Sequence, residues 1–410
     1  MIGAFVACAA TTALAVGDAP YDFFPVSYWV SPPAEDARYA ELAECGFTLA
    51  FAGDPELAWK HGMHSLVGDG GLGGSESPES NAAIDAAVDR HAGKPGFLGF
   101  ILADEPTTAE FPQLAYVTQR ILARDRQAIP YVNLNPIYAP LKWLGTRTYE
   151  EYLEQFVTVV KPKVLSFDHY ALFTDGVRPD YYDNLEIVRR VSLRHGLPFW
   201  YVLLATPLGP DREPAPGEPR LAGPYRDPTE GELRWQVYTS LAYGAQGLMY
   251  FTYCPPAPQP GLHFGDAILR HDGTRDRKYW IVKRINAEVN ALGPTLLHLT
   301  STKVYHVGQG LQVPQGASGP PQGAMLPSIS AGNLVVGEFA DARGARYVLL
   351  ANASSSAAFD GDLAFSPAVK GLAEVPRVAG QALTWHDLPA DGRLRGRHLA
   401  AGDGRLYAVR

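Results

Sequence analysis

The run Phe97-Leu-Gly-Phe-Ile-Leu-Ala-Asp-Glu-Pro106 decides how the rest of the chain is read. From Phe97 to Ala103 it is continuously apolar, with none of the alternation of a half-solvated strand. Such a run is a strand buried on both faces, as parallel sheets covered by helices require. It ends in two acids, and Pro106 forces an extended exit. Outward from it, similar runs occur at 25–31, 47–53, 63–68, 129–135, 164–170, 199–205 and 247–253. Amphipathic stretches separate them at 34–45, 55–62, 82–92, 112–125, 149–161, 182–195, 230–245 and 275–297. Gly46, Gly93 and Gly196 stand where a helix needs a left-handed terminating residue. Eight strands alternating with eight helices predict a (β/α)8 TIM barrel over residues 17–300. The competing doubly wound sheet would carry a glycine-rich nucleotide loop after its first strand, where this chain has Ser31-Pro32-Pro33.

Beyond Thr302 the helical period disappears. Short apolar runs at 333–338, 346–352, 363–365 and 406–409, separated by turn residues, predict a small all-β sandwich domain over 301–410. At the other end, residues 1–16 are apolar or small and carry Ala13-Leu14-Ala15, the pattern of a signal-peptide remnant. A secreted or periplasmic protein is therefore expected.

The 410 residues are 46% hydrophobic and 19% charged, which excludes a disordered chain. The net charge is −8 and no basic stripe exists, so neither nucleic acid nor an anionic membrane is an expected partner. Cys8, Cys45 and Cys254 form neither a disulfide framework nor a metal-ligand spacing, and no cofactor is expected. Aromatics at 11%, with abundant glycine and proline, fit a pocket whose loops present stacking surfaces to a carbohydrate.

In a barrel the reacting groups sit where the strands end. Those ends offer Tyr28 and Trp29, Asp104 and Glu105, Asn133 and Asn135, Asp168 and Tyr170, and Tyr253. Glu105, on a hydrophobic strand end, is the candidate general acid/base, because desolvation there raises a carboxyl pKa. Asp168 closes another apolar strand and is the candidate second carboxylate. Asp104 is expected to support by hydrogen bonding, while Tyr28, Trp29, Asn133, Asn135, Tyr170 and Tyr253 are expected to shape a sugar subsite. His169 alternates to the opposite side of its strand. Glu232 has the spacing of a capping box with Thr229, which accounts for it without catalysis. His64, Asp69, Glu105, Asp168 and His169 are of metal-binding type, but no close metal-ligand motif joins them, and no metal site is expected. The long loops 69–81 and 208–229 belong to the same face of the barrel.

These residues carry a resemblance. Tyr39-Ala-Glu-Leu-Ala-Glu-Cys-Gly-Phe47 resembles the opening of barrel glycoside hydrolases, and Gly99–Pro106 their fourth strand with its acid/base glutamate, Asp104 replacing the common Asn. The stretch 233–251 resembles the last helix and strand of family 42 β-galactosidase-like enzymes, and 336–352 with 399–406 is similar to the β-sandwiches that follow such barrels. The resemblance implies a glycoside hydrolase acting on an oligo- or polysaccharide. It also implies a nucleophile glutamate at the end of strand seven, where this chain reads Pro198-Phe-Trp-Tyr-Val-Leu-Leu-Ala-Thr-Pro207, without an acid. The second carboxylate is then Asp168, or Asp227 or Glu230 from the loop, or the chemistry differs. A non-catalytic carbohydrate-binding barrel and a metal-dependent sugar lyase or isomerase are the alternatives.

Overall fold

The computed structural model describes residues 19–210, 223–308, 310, 312–378 and 380–410. The expected signal remnant and the middle of the 208–229 loop lie outside the described residues. Eight strands, β1 (Val26–Tyr28), β2 (Leu49–Phe51), β3 (His64–Val67), β4 (Phe97–Asp104), β5 (Ile129–Leu134), β6 (Leu165–Asp168), β7 (Phe199–Leu204) and β8 (Leu248–Phe251), form one parallel sheet. Its order is β1-β8-β7-β6-β5-β4-β3-β2. Only the β1–β2 seam lacks a ladder, and one threonine closes it: Thr48 N donates to Val26 O (3.0 Å) and Thr48 Oγ1 accepts from Val26 N (2.8 Å). Apart from a four-residue helical turn at Leu141–Leu144, eight α-helices among the described residues follow the strands in turn: α1 (Asp36–Glu44), α2 (Pro55–Lys60), α3 (Pro78–His91), α4 (Phe111–Arg124), α5 (Tyr149–Val160), α6 (Tyr181–His195), α7 (Glu230–Ala242) and α8 (Arg277–Leu296). This is the predicted TIM barrel. Gly46, Gly93 and Gly196 take φ of +82°, +73° and +63° where their helices end.

The barrel floor is aromatic. Tyr131 and Trp200 are fully buried, Tyr131 donates to or accepts from Ser166 Oγ at 2.8 Å, and its ring meets Phe51 and Trp200. Filling of this kind makes the barrel a solid core whose functional surface is its mouth.

From Thr300 the chain is antiparallel. Strands β9 (Thr300–Gly308), β10 (Ser328–Ile329), β11 (Asn333–Ala340), β12 (Arg346–Asn352), β13 (Phe359–Ala364), β14 (Gly371–Glu374), β15 (Trp385–Asp387), β16 (Arg393–Leu399) and β17 (Gly404–Val409) divide between two sheets. One has the order β9-β11-β12-β17-β14-β15 and the other β10-β13-β16. Their facing sides share a separate core that includes Tyr305, Leu334, Val348, Leu363 and Leu399. This is the predicted all-β region.

Helix α7 joins the two parts. Every residue from Leu233 to Ala242 except Arg234 is buried, so it has no solvent face, because barrel strands lie on one side and the β11–β12–β17 sheet on the other. Inward, the Gln236 amide donates to Leu204 O (3.0 Å) and accepts from Leu204 N (2.9 Å), continuing the β7 ladder with a side chain. Outward, Arg234 and Arg377 share Glu288 (2.9 and 2.7 Å) and Asp403 (3.3 and 2.7 Å). Among the described residues no helix is long and apolar enough to cross a membrane. Cys45 and Cys254 are free thiols.

Candidate active site

Strand β4 delivers its two acids to the barrel mouth by breaking its own alternation. Consecutive strand residues point to opposite sides, yet Glu105, just past the strand, has φ +49°, a left-handed conformation unfavourable for a non-glycine residue. Its amide still donates to Asn133 O at 2.8 Å, holding the turn against β5. The side chain thereby reaches a cavity of about 240 Å³ that Asp168, Asn135, Tyr138, Tyr170 and Trp143 also line.

Three carboxyl groups and two amides make the polar part. Asn133 Nδ2 donates to Asp104 Oδ1 (3.0 Å) and to Asp168 Oδ1 (3.0 Å), so both amide hydrogens are committed to carboxylates. Asn135 Nδ2 donates to Glu105 O (2.8 Å) and Pro106 O (3.2 Å), and Tyr152 OH donates to Pro106 O (2.6 Å), pinning the segment after β4. Asp168 Oδ2 and Asn135 Oδ1 are buried without a hydrogen-bond partner, a costly state for polar atoms beside a cavity unless a ligand supplies the partner.

Burial pushes the Glu105 carboxyl up to about 7, helped by the negative charge of Asp104 and partly offset by the proximity of Asp168. Asp168, 2% exposed, is raised well above the usual carboxylate range by burial, then by the charges of Glu105 and Asp104, against the Asn133 bond. The two groups act on each other at short range without a regular hydrogen bond, since Asp168 Oδ2 lacks one. Near neutrality the pair therefore retains a proton, which belongs to the pair rather than to one member. Asp104 stays open to solvent at the rim, although the crowded mouth raises its carboxyl against the Asn133 bond.

Of the residues predicted from sequence, the cavity brings together Glu105, Asp168, Asn135 and Tyr170, with buried Asn133 bonding Asp168 to Asp104 at the rim. Tyr28 and Tyr253 are fully buried in a cluster with Phe47, whose ring also meets Tyr250. Tyr250 donates to Asn286 on α8 at 2.9 Å, so that cluster lies on the helix side of the barrel wall. Tyr28 and Trp29 are consecutive and separate accordingly: Trp29 packs on Phe51, 4.3 Å between ring centres, and none of these three lines the cavity.

The loop acids are engaged elsewhere. Asp227 pairs with Arg277 (2.6 Å) and Lys278, and Glu230 with Arg234 (3.2 Å) and Arg284 (2.8 Å). Glu232 makes the expected capping box with Thr229. At the end of β7 the Thr206 and Thr252 hydroxyls meet at 3.0 Å in full burial, where the resemblance leads one to look for an acid. The metal-type residues are dispersed: His64 stacks on Phe23, Asp69 holds Arg90 and His91, and His169 bonds Asp180 at 2.9 Å. Among the described residues no group of three or more such side chains is arranged to hold a metal ion.

Sequence reasoning passed over Tyr138, Trp143 and Tyr225. Tyr138 and Tyr225 lie on loops and Trp143 on a four-residue helical turn, all too short for a periodicity to mark a facing side. The available signal was the loop Asn135-Pro-Ile-Tyr-Ala-Pro140, an aromatic between two prolines directly after a strand end.

Asp104→Asn tests the electrostatics without removing the Asn133 bond, since the amide oxygen still accepts. Losing a negative neighbour lowers the Glu105 pKa. The alkaline limb of the pH–rate profile should therefore move to lower pH, and an unmoved limb would contradict the assignment of Glu105.

No protein-family model matches the sequence, and no curated protein matches it. Solved structures share the fold. A β-galactosidase from Bacillus circulans sp. alkalophilus superposes with a TM-score of 0.59 at 9% identity, over 95% of this chain and 99% of that one. A β-galactosidase from Rahnella sp. R3 gives 0.55 at 9% identity, over 95% and 98%. With a β-galactosidase from the psychrophilic Marinomonas ef1 the score is 0.48 at 11% identity, over 69% of this chain and 63% of that one, so the chain spans less than two thirds of that protein. At such identities the likeness is one of architecture: an almost closed barrel of eight parallel strands with antiparallel sheets after it, similar to these glycoside hydrolases.

Proposed function

We propose that the protein is a glycoside hydrolase, with Glu105 as general acid/base and Asp168 as the second carboxylate. The observation that carries this reading is that both carboxyl groups line one cavity at the barrel mouth, where burial raises them above the usual carboxylate range. Glycosidic cleavage needs such a pair, one group giving a proton and the other acting as base or nucleophile. Glu105 gives its proton to the glycosidic oxygen, and the C–O bond breaks with its electron pair staying on that oxygen. The leaving group departs as an alcohol. Asp168 stabilises the positive charge at the sugar carbon, either directly or through the water it deprotonates. That water supplies the hydroxyl, and its released proton restores the carboxyl pair. Asn135 Oδ1, unpartnered in the wall, is placed to accept from a sugar hydroxyl.

The missing acid after β7 supports a second reading, a barrel that binds carbohydrate without cleaving it. One screen separates the two: p-nitrophenyl glycosides and natural oligosaccharides, scored for both sugar release and binding. Hydrolysis of at least one glycoside, retained in a chelator, is expected. Binding without release across the panel would replace the first reading by the second.

A further inference from the structure

We propose that Trp143 is the platform for the leaving group, the indole taking the flat apolar face of whatever lies beyond the scissile bond. This rests on the glycosidase reading of the cavity. Trp143 lines the cavity of Glu105 and Asp168, yet 52% of it is exposed. A large aromatic left in water beside a cavity contributes little to folding, and a ligand that covers it gains that burial.

The backbone that carries the indole is also held in place. It stands on a short helical turn, Leu141–Leu144, that follows Pro140. Trp143 N and Leu144 N both donate to Pro140 O, at 2.8 and 3.0 Å. Leu144 is fully buried beneath the turn, and Gly145 ends it with φ +81°. Thr108 Oγ1 donates to Leu144 O at 2.9 Å, and Thr108 belongs to the segment that leaves Glu105. The proton donor and the platform are thus tied together by one loop-to-loop bond, a preorganised arrangement that spares ordering cost on binding.

The cavity volume decides what the platform receives. About 240 Å³ lies below the roughly 300–1,000 Å³ of pockets that enclose a whole ligand, so the cavity takes only part of an oligosaccharide or glycoside. The next unit of the substrate must lie at the lip, where Trp143 stands. A second sugar presenting its C–H face, or an aromatic aglycone, fits; fluoride has nothing to stack.

The test compares Trp143→Ala with wild type on a p-nitrophenyl glycoside and the glycosyl fluoride of the same sugar. The loss in kcat/KM on the aryl glycoside should be about tenfold or more, mainly through KM, and much smaller on the fluoride. Trp143→Phe should recover part of it. Equal losses on both substrates, or none on either, overturn the proposal. A second measurement keeps it separable from the hydrolase reading: Glu105→Gln, with and without Trp143→Ala, is titrated with the p-nitrophenyl glycosides and with free monosaccharides by calorimetry. Tighter binding of aryl glycosides that vanishes with Trp143→Ala supports the platform even if wild type hydrolyses nothing. Aryl glycosides binding no better than monosaccharides would remove it.

Discussion

Glu105→Gln is expected to lose about a thousandfold or more in turnover on an aryl glycoside while the folded protein becomes more stable above pH 7. The two effects share one cause. The Glu105 carboxyl is raised to about 7 in the folded state from an ordinary value of 4.5, chiefly by burial. The folded state therefore binds more protons than the unfolded chain between those values, so stability falls as pH rises through the window and stays reduced above it. Removing the ionisable group removes that penalty, at most about 3 kcal/mol at pH 8 and nothing near pH 4, where the carboxyl is neutral in both states. Thermal melts of both proteins at pH 4, 6 and 8 should show a stability gain that appears only at the higher values. Asp168→Asn should lose activity comparably, because its amide oxygen still accepts from Asn133 but no charge remains to meet the developing cation. The double variant should lose little more than the worse single one, as groups acting together do. Losses that multiply, or a Glu105→Gln protein less stable at pH 8 than wild type, would place these residues outside a shared proton.

How far the sequence foretold this site follows from what sequence patterns encode. The barrel was legible because strands buried on both faces leave continuous apolar runs such as Phe199–Leu204, and because glycines such as Gly196 mark helix ends by accepting a left-handed geometry that other residues disfavour. Glu105 and Asp168 stood out because an acid closing such a run needs a reason to be there. The aromatic assignments fared differently. Tyr28 and Tyr253 sit at strand ends like the true lining residues, but which side a ring takes depends on strand phase and on cluster packing around Phe47. Tyr138, Trp143 and Tyr225 were invisible for the opposite reason, since their placement depends on contacts between loops distant in sequence. Tyr225 reaches the cavity because its amide donates to Leu208 O at 2.7 Å and its ring stacks on Phe173, 5.4 Å away. Nor does any pattern foretell the positive φ at Glu105, which overrides strand alternation and brings a second acid to the mouth.

The other large effect is expected far from the cavity, where α7 meets the β11–β12–β17 sheet. Glycines permit that contact. A Cβ on Gly337 would stand 2.1 Å from Ala242 O, one on Gly402 2.1 Å from Gly231 O, and one on Gly404 2.4 Å from the Tyr238 ring. The first two obstacles are helix backbone, which cannot step aside as a side-chain tip can. Gly337→Val should therefore cost about 3 kcal/mol or more, read as a lower melting temperature and faster proteolysis. Gly319→Val, with nothing within 4 Å of the added carbon, is the control and should melt like wild type. Because Gln236 on the same helix holds Leu204 of β7 through both amide atoms, loosening α7 reaches the barrel wall. Hydrolysis should accordingly fail along with the melting transition rather than survive in an undocked barrel. If Gly337→Val instead unfolded only the antiparallel sheets and left glycoside hydrolysis intact at the same temperature, α7 would belong to the barrel alone and the shared packing would carry none of its stability.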